Sequence, residues 1–170
     1  MTQLLKDPLM AGTRGLLAAL FWIFVIFGSF AVLLAPVMAL NVDTINAELA
    51  NENMIKPVEP MALAITIFIG GVLMGVLAIF VALMRRIVAS VAEGDPFLPV
   101  NASRLYKMGW LGIGIAALTT ALSVVATQVD GSPADIDFDF SALVLALSLF
   151  ILARVFRHGA AMREDLEGTV

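Results

Sequence analysis

The sequence predicts an all-α integral membrane protein, a four-helix bundle with both termini on the cytoplasmic side. Three observations predict it. Four long apolar runs divide the 170 residues into a tail, three loops and a second tail. Hydrophobic residues make up 61% and charged residues 14%, against about 45–50% and about 25% in a soluble domain. Nine of the ten Lys and Arg residues fall on one side of the pattern. Lys6 and Arg14 lie in the first tail, Arg85, Arg86, Arg104 and Lys107 in the middle loop, and Arg154, Arg157 and Arg163 in the second tail; only Lys56 lies elsewhere. Basic segments stay in the cytoplasm, which places those three segments there. One domain, residues 1–170, is expected, because no stretch outside the runs is long enough for a second core.

A bilayer core of about 30 Å takes roughly 20 helical residues. The spans are expected near 16–40, 61–84, 108–129 and 138–156, with a cytoplasmic loop over 85–107. The first ends beyond Pro36, which predicts a kink or the end of regular helix. Lys6 and Arg14 before an apolar run resemble a signal peptide, but the run is longer than an h-region of about 7–15 residues, so an uncleaved span is expected. The third begins beside Tyr106 and Trp110, rings that favour headgroup depth. The fourth has only fourteen uncharged residues, Phe140–Ala153. Arg154 can snorkel, which lets the span run to Phe156.

The span interiors carry no Asp, Glu, Lys, Arg or His well inside them. Such groups usually mark proton relays and ion paths, so a proton-coupled transporter or intramembrane hydrolase is not expected. Small residues at helical spacing, Gly71 and Gly75 on span two and Gly112 and Ala116 on span three, allow close backbone approach. The first reading is packing of spans two and three against each other; a homo-oligomer seam is the second. The glycine pair predicts that Gly75→Leu costs more than Gly28→Leu.

Six acids accompany the nine basic residues on the cytoplasmic side, leaving that face net basic and suited to an anionic leaflet. The basic residues are scattered, so direct nucleic-acid binding is not expected. Eight acids lie outside, among them Asp130, Asp135, Asp137 and Asp139. Oxygen-rich clusters suit hard cations, but the spacing lacks the glycine and distal glutamate of a calcium loop; a solvated acidic loop is the simpler reading. With no cysteine and a single histidine, His158, neither a cofactor nor a typical metal site is expected.

The middle loop reads as stop, turn and restart. Gly94 suits the left-handed residue that ends a helix. Asp95-Pro96 enforces an extended or turn step. Asn101 is expected to cap the helix that enters span three. Phe97 stands between Pro96 and Pro99, either packed on the helix ends or presented to a partner. Gly94, Asp95, Pro96, Phe97, Asn101 and Arg104 form the candidate docking set. Both halves of the chain share a plan of outward span, acidic loop and return span. A duplicated hairpin and chance account for that equally well.

The Glu93-Gly94-Asp95-Pro96-Phe97 turn, Asn101, Arg104-Leu105 and the ending Arg163-Glu164-Asp165-Leu166-Glu167-Gly168-Thr169-Val170 resemble the bacterial membrane family catalogued as domain of unknown function 2975. The resemblance covers essentially the whole chain. It implies four helices in a bacterial inner membrane and companionship with small helix-turn-helix regulators, and it brings no catalytic residues. The leading expectation is a non-enzymatic sensor or anchor that holds a cytosolic protein. The alternative is an oligomeric path for a neutral or lipophilic molecule, lined by Thr119, Thr120, Ser123, Thr127 and Gln128.

Overall fold

Inside a bilayer every backbone N–H and C=O must find a partner within the protein, and a helix achieves this within one segment. The computed structural model describes residues 8–41, 43–44, 46–47, 60–130 and 140–167. It is all-α, with four long helices: α1 (Pro8–Leu40), α2 (Pro60–Ala92), α3 (Pro99–Asp130) and α4 (Phe140–Glu167). The first three open on proline, whose missing N–H falls where a helix has no internal acceptor for it.

All four helices are long and apolar enough to cross a membrane. Only 11% to 22% of each apolar stretch is buried within the protein. The rest, including Phe27, Phe30 and Leu33 on α1, forms an outward apolar surface far larger than water tolerates, and lipid is its natural solvent.

The helices outrun the expected spans. At about 1.5 Å per residue they reach roughly 40–50 Å, beyond a core of about 30 Å. The expected 85–107 loop is largely helical: α2 continues through Ala92 and α3 resumes at Pro99, so only 93–98 forms the turn. α4 continues past Phe156 to Glu167. Pro36 does not end α1, which runs a further turn to Leu40. Asn41 closes that end, its Nδ2 donating to the Val37 carbonyl at 2.8 Å.

The chain divides into two compact units. One takes the described residues within Met1–Ile23, Val76–Ala116 and Asp139–Val170; the other takes those within Phe24–Gly75 and Ala117–Phe138. The first contains every described Lys and Arg and the turn after α2. There α3 and α4 meet through ring-on-glycine and small-residue contacts. A β-carbon on Gly109 would come within 2.7 Å of the Phe150 ring, and one on Gly112 would stand 3.7 Å from Ala146 Cβ. Tyr106 and Trp110 flank the same Phe150 ring, with centroids at 5.3 and 5.8 Å.

The second unit holds a close backbone contact between α1 and α2. A β-carbon on Gly71 of α2 would lie 2.7 Å from Val32 Cγ2 and 3.0 Å from both the Gly28 carbonyl oxygen and the Val32 nitrogen of α1. One on Gly28 would lie 2.9 Å from Met74 Cβ and 3.1 Å from the Gly71 oxygen. A β-carbon on Gly75 would meet nothing within 4 Å. Two expectations are therefore corrected. The closest approach at Gly71 is to α1, not α3, and that at Gly112 is to α4, not α2. Gly28, not Gly75, is the glycine that pairs with Gly71.

Candidate functional site

The turn between α2 and α3 is built from the backbone outward. Gly94 has φ 90°, a conformation that costs a β-carbon dearly. Its N–H donates to the Val91 carbonyl at 3.0 Å, and the Asp95 N–H donates to the Ser90 carbonyl at 3.1 Å. This pair of bonds is a Schellman motif, which satisfies two carbonyls that the end of α2 would leave bare.

Asn101 does not cap α3. The helix already begins at Pro99, so Asn101 lies in its first turn, with its N–H bonded to the Leu98 carbonyl at 2.8 Å. Its side chain is wholly buried, at 0% exposure. Nδ2 donates to Ser90 Oγ at 2.6 Å and to the Pro96 carbonyl at 2.9 Å. Oδ1 accepts from Arg104 Nη1 at 2.8 Å, and the same nitrogen donates to the Arg86 carbonyl at 3.1 Å. Ser90 Oγ in turn donates to the Ile87 carbonyl at 2.8 Å. One amide thus ties the end of α2, the turn and the start of α3 together. A buried amide with both donors and its oxygen engaged stabilises and specifies an arrangement; one left without partners would cost more than an apolar residue. Ala92 of α2 and Ala102, Leu105 and Met108 of α3 are buried on the same two helices.

The turn then rests on α4. Phe97 lies against Phe156, with ring centroids 5.3 Å apart, and over Gly159, where a β-carbon would come within 2.9 Å of its ring. Asp95 Oδ1 accepts from Arg163 Nη1 at 2.5 Å. Phe156, Gly159 and Arg163 are spaced i, i+3 and i+7, one stripe of a helix. Both partners of the Asp95–Arg163 pair are part-exposed, 32% and 50%. Such a pair contributes at most about 0.5–1 kcal/mol and serves mainly to orient the turn. Phe97 is still 42% exposed. With Tyr106, Arg157, His158 and Met162 it lines a groove along α4.

The structure thus brings together the whole candidate set: Gly94, Asp95, Pro96, Phe97, Asn101 and Arg104. It adds Ser90, Phe156, Gly159 and Arg163, which sequence reasoning missed. Gly159 carries the one available signal, a glycine inside a helix where a neighbour comes close. Comparison with known families gives a match to the model described as Protein of unknown function (DUF2975) over residues 5–170. The chain belongs to this family. No curated protein and no solved structure matches it. DUF2975 supplies no residue roles, so the site stands on its geometry. Asp135, Asp137 and Asp139 of the acidic loop lie outside the described residues.

Proposed function

We propose that the protein is a non-enzymatic, multi-pass protein of a bacterial inner membrane, with both termini cytoplasmic, that anchors or regulates a cytosolic protein. The family resemblance makes a small helix-turn-helix regulator the kind of partner to expect. One observation carries this reading: the turn after α2 and the final turns of α4 form a fixed platform beyond the apolar runs. A connector between two spans needs no buried amide network and no clasp to a third helix. A pre-ordered surface loses little entropy on binding. It also leaves Tyr106 and Met162, which line the same groove as Phe97, exposed.

No specific observation favours the permeation path. Ser123 Oγ and Thr127 Oγ1 donate to the carbonyls of Thr119 and Val124 in their own helix, at 3.0 and 2.8 Å.

The test separates packing from docking. Phe97→Ser removes a part-exposed ring from Phe156 and Gly159 and is expected to lower stability by about 1–2 kcal/mol. Met162→Asp changes an exposed side chain, 53% accessible, and is expected to leave thermal unfolding in detergent unchanged. In-cell crosslinking and affinity capture from the native host should recover one cytosolic partner with the unaltered chain. Rebinding of that purified partner should weaken at least tenfold with Met162→Asp. Undiminished rebinding would exclude this face as the docking surface.

A further inference from the structure

A second feature lies between the first turns of α1 and the last turns of α2. Arg14 of α1 and Arg85 and Arg86 of α2 line a cavity of about 410 Å³. Its remaining described wall is apolar, with Leu17, Phe21 and Ala82 among the lining side chains, and no carboxylate lines it among the described residues. Among the described residues none of the three guanidinium groups forms an ion pair. The Arg85 guanidinium stands 5.3 Å from the centroid of the Phe21 ring. That contact orients the group, and among the described residues its N–H donors have no hydrogen-bond acceptor. Arg14 lies just before the first apolar run, and Arg85 and Arg86 just after the second, so in a bilayer the cavity sits at headgroup depth.

Three basic residues lining one small cavity repel one another unless an anion joins them. Planar guanidinium forks match phosphate oxygens in pairs. An apolar wall beneath suits the glycerol and first methylenes of a lipid. Basic pockets between helices at that depth are suited to acidic headgroups.

We propose that the Arg14–Arg85–Arg86 cavity is a binding site for a phosphate-bearing anion, with Arg85 as its fixed donor and Arg14 and Arg86 closing on it from two helices. The inference rests on the membrane reading of the helices and is independent of any cytosolic partner.

The test uses the full-length protein in detergent and in lipid nanodiscs. Native mass spectrometry and thermal unfolding are read against added phosphatidylglycerol, phosphatidylcholine and inorganic phosphate. Phosphatidylglycerol should bind and raise the unfolding temperature, and phosphatidylcholine should not. Arg14→Gln and Arg85→Gln should each weaken phosphatidylglycerol binding about fivefold. Lys107→Gln is the control, an exposed basic residue outside the cavity lining, and should change nothing. Arg85→Lys keeps the charge without the fork and should give an intermediate loss with unfolding in phosphatidylcholine unaltered, which guards against a folding defect. Equal stabilisation by inorganic phosphate would support the same site with a soluble anion as its occupant. An equal loss with Lys107→Gln, or equal binding of phosphatidylcholine, would overturn the proposal, since diffuse attraction or general lipid contact would then suffice.

Discussion

Gly71→Ala is expected to destabilise the protein by about 2–3 kcal/mol, the upper range for forcing one extra carbon into a packed contact. The added methyl would meet the Gly28 carbonyl oxygen and the Val32 nitrogen at 3.0 Å, and Val32 Cγ2 at 2.7 Å. Two of those three atoms are backbone, so the clash cannot be relieved by a rotamer change alone. α1 and α2 must separate, and without water's apolar drive between helices the close contact is itself the source of their association. Gly75→Ala is the matched control. Its β-carbon would enter open space, and alanine favours helix by up to about 1 kcal/mol over glycine. Chemical or thermal unfolding in detergent should therefore show a large loss at Gly71, a comparable loss at Gly28 and none at Gly75. Equal losses at Gly71 and Gly75 would remove the α1–α2 contact from the account.

Asn101→Leu should cost about 2–4 kcal/mol by the same measurement. The substitution deletes the donor to Ser90 Oγ and the Pro96 carbonyl and the acceptor for Arg104. Groups left buried without partners forfeit about 1–3 kcal/mol apiece. Some of them recover part of that by moving toward solvent, which keeps the total below a simple sum. Ser90→Ala removes one spoke of the network and should cost about 1 kcal/mol. A loss at Asn101 no larger than that at Ser90 would mean that the amide does not organise the turn.

The four spans and the Gly94 stop were legible because both are local properties. A run of uncharged residues long enough to cross lipid can be counted, and a glycine ahead of Asp95-Pro96 meets the backbone demand of a helix end on its own. The contact partners were not legible. Four-residue spacing puts Gly71 and Gly75 on one face, but it does not say which helix crosses that face or at which residue the axes come closest. Asn101 illustrates a competition between two local rules. Asparagine favours the cap position, yet Pro99 two residues earlier favours the first helical position and wins. Once it does, the amide falls inside the helix and turns back to Ser90. The clasp on α4 joins Asp95 to Arg163 across 68 residues, and no periodicity reports a pair so far apart. The length of α4 was underestimated for a related reason. Arg154 ends the apolar run, but ending an apolar run does not end a helix.

The proposed orientation puts the end of the helices carrying the turn, the clasp and the basic residues in the cytoplasm. Topology reporters test it directly. Alkaline phosphatase is active only outside the cytoplasm and green fluorescent protein fluoresces inside it, and each is fused in turn after Asn51, Asn101, Ser132 and Val170. The account predicts fluorescence at Asn101 and Val170 and phosphatase activity at Asn51 and Ser132, following the nine-to-one distribution of Lys and Arg. Phosphatase activity at Asn101 or Val170 would contradict it.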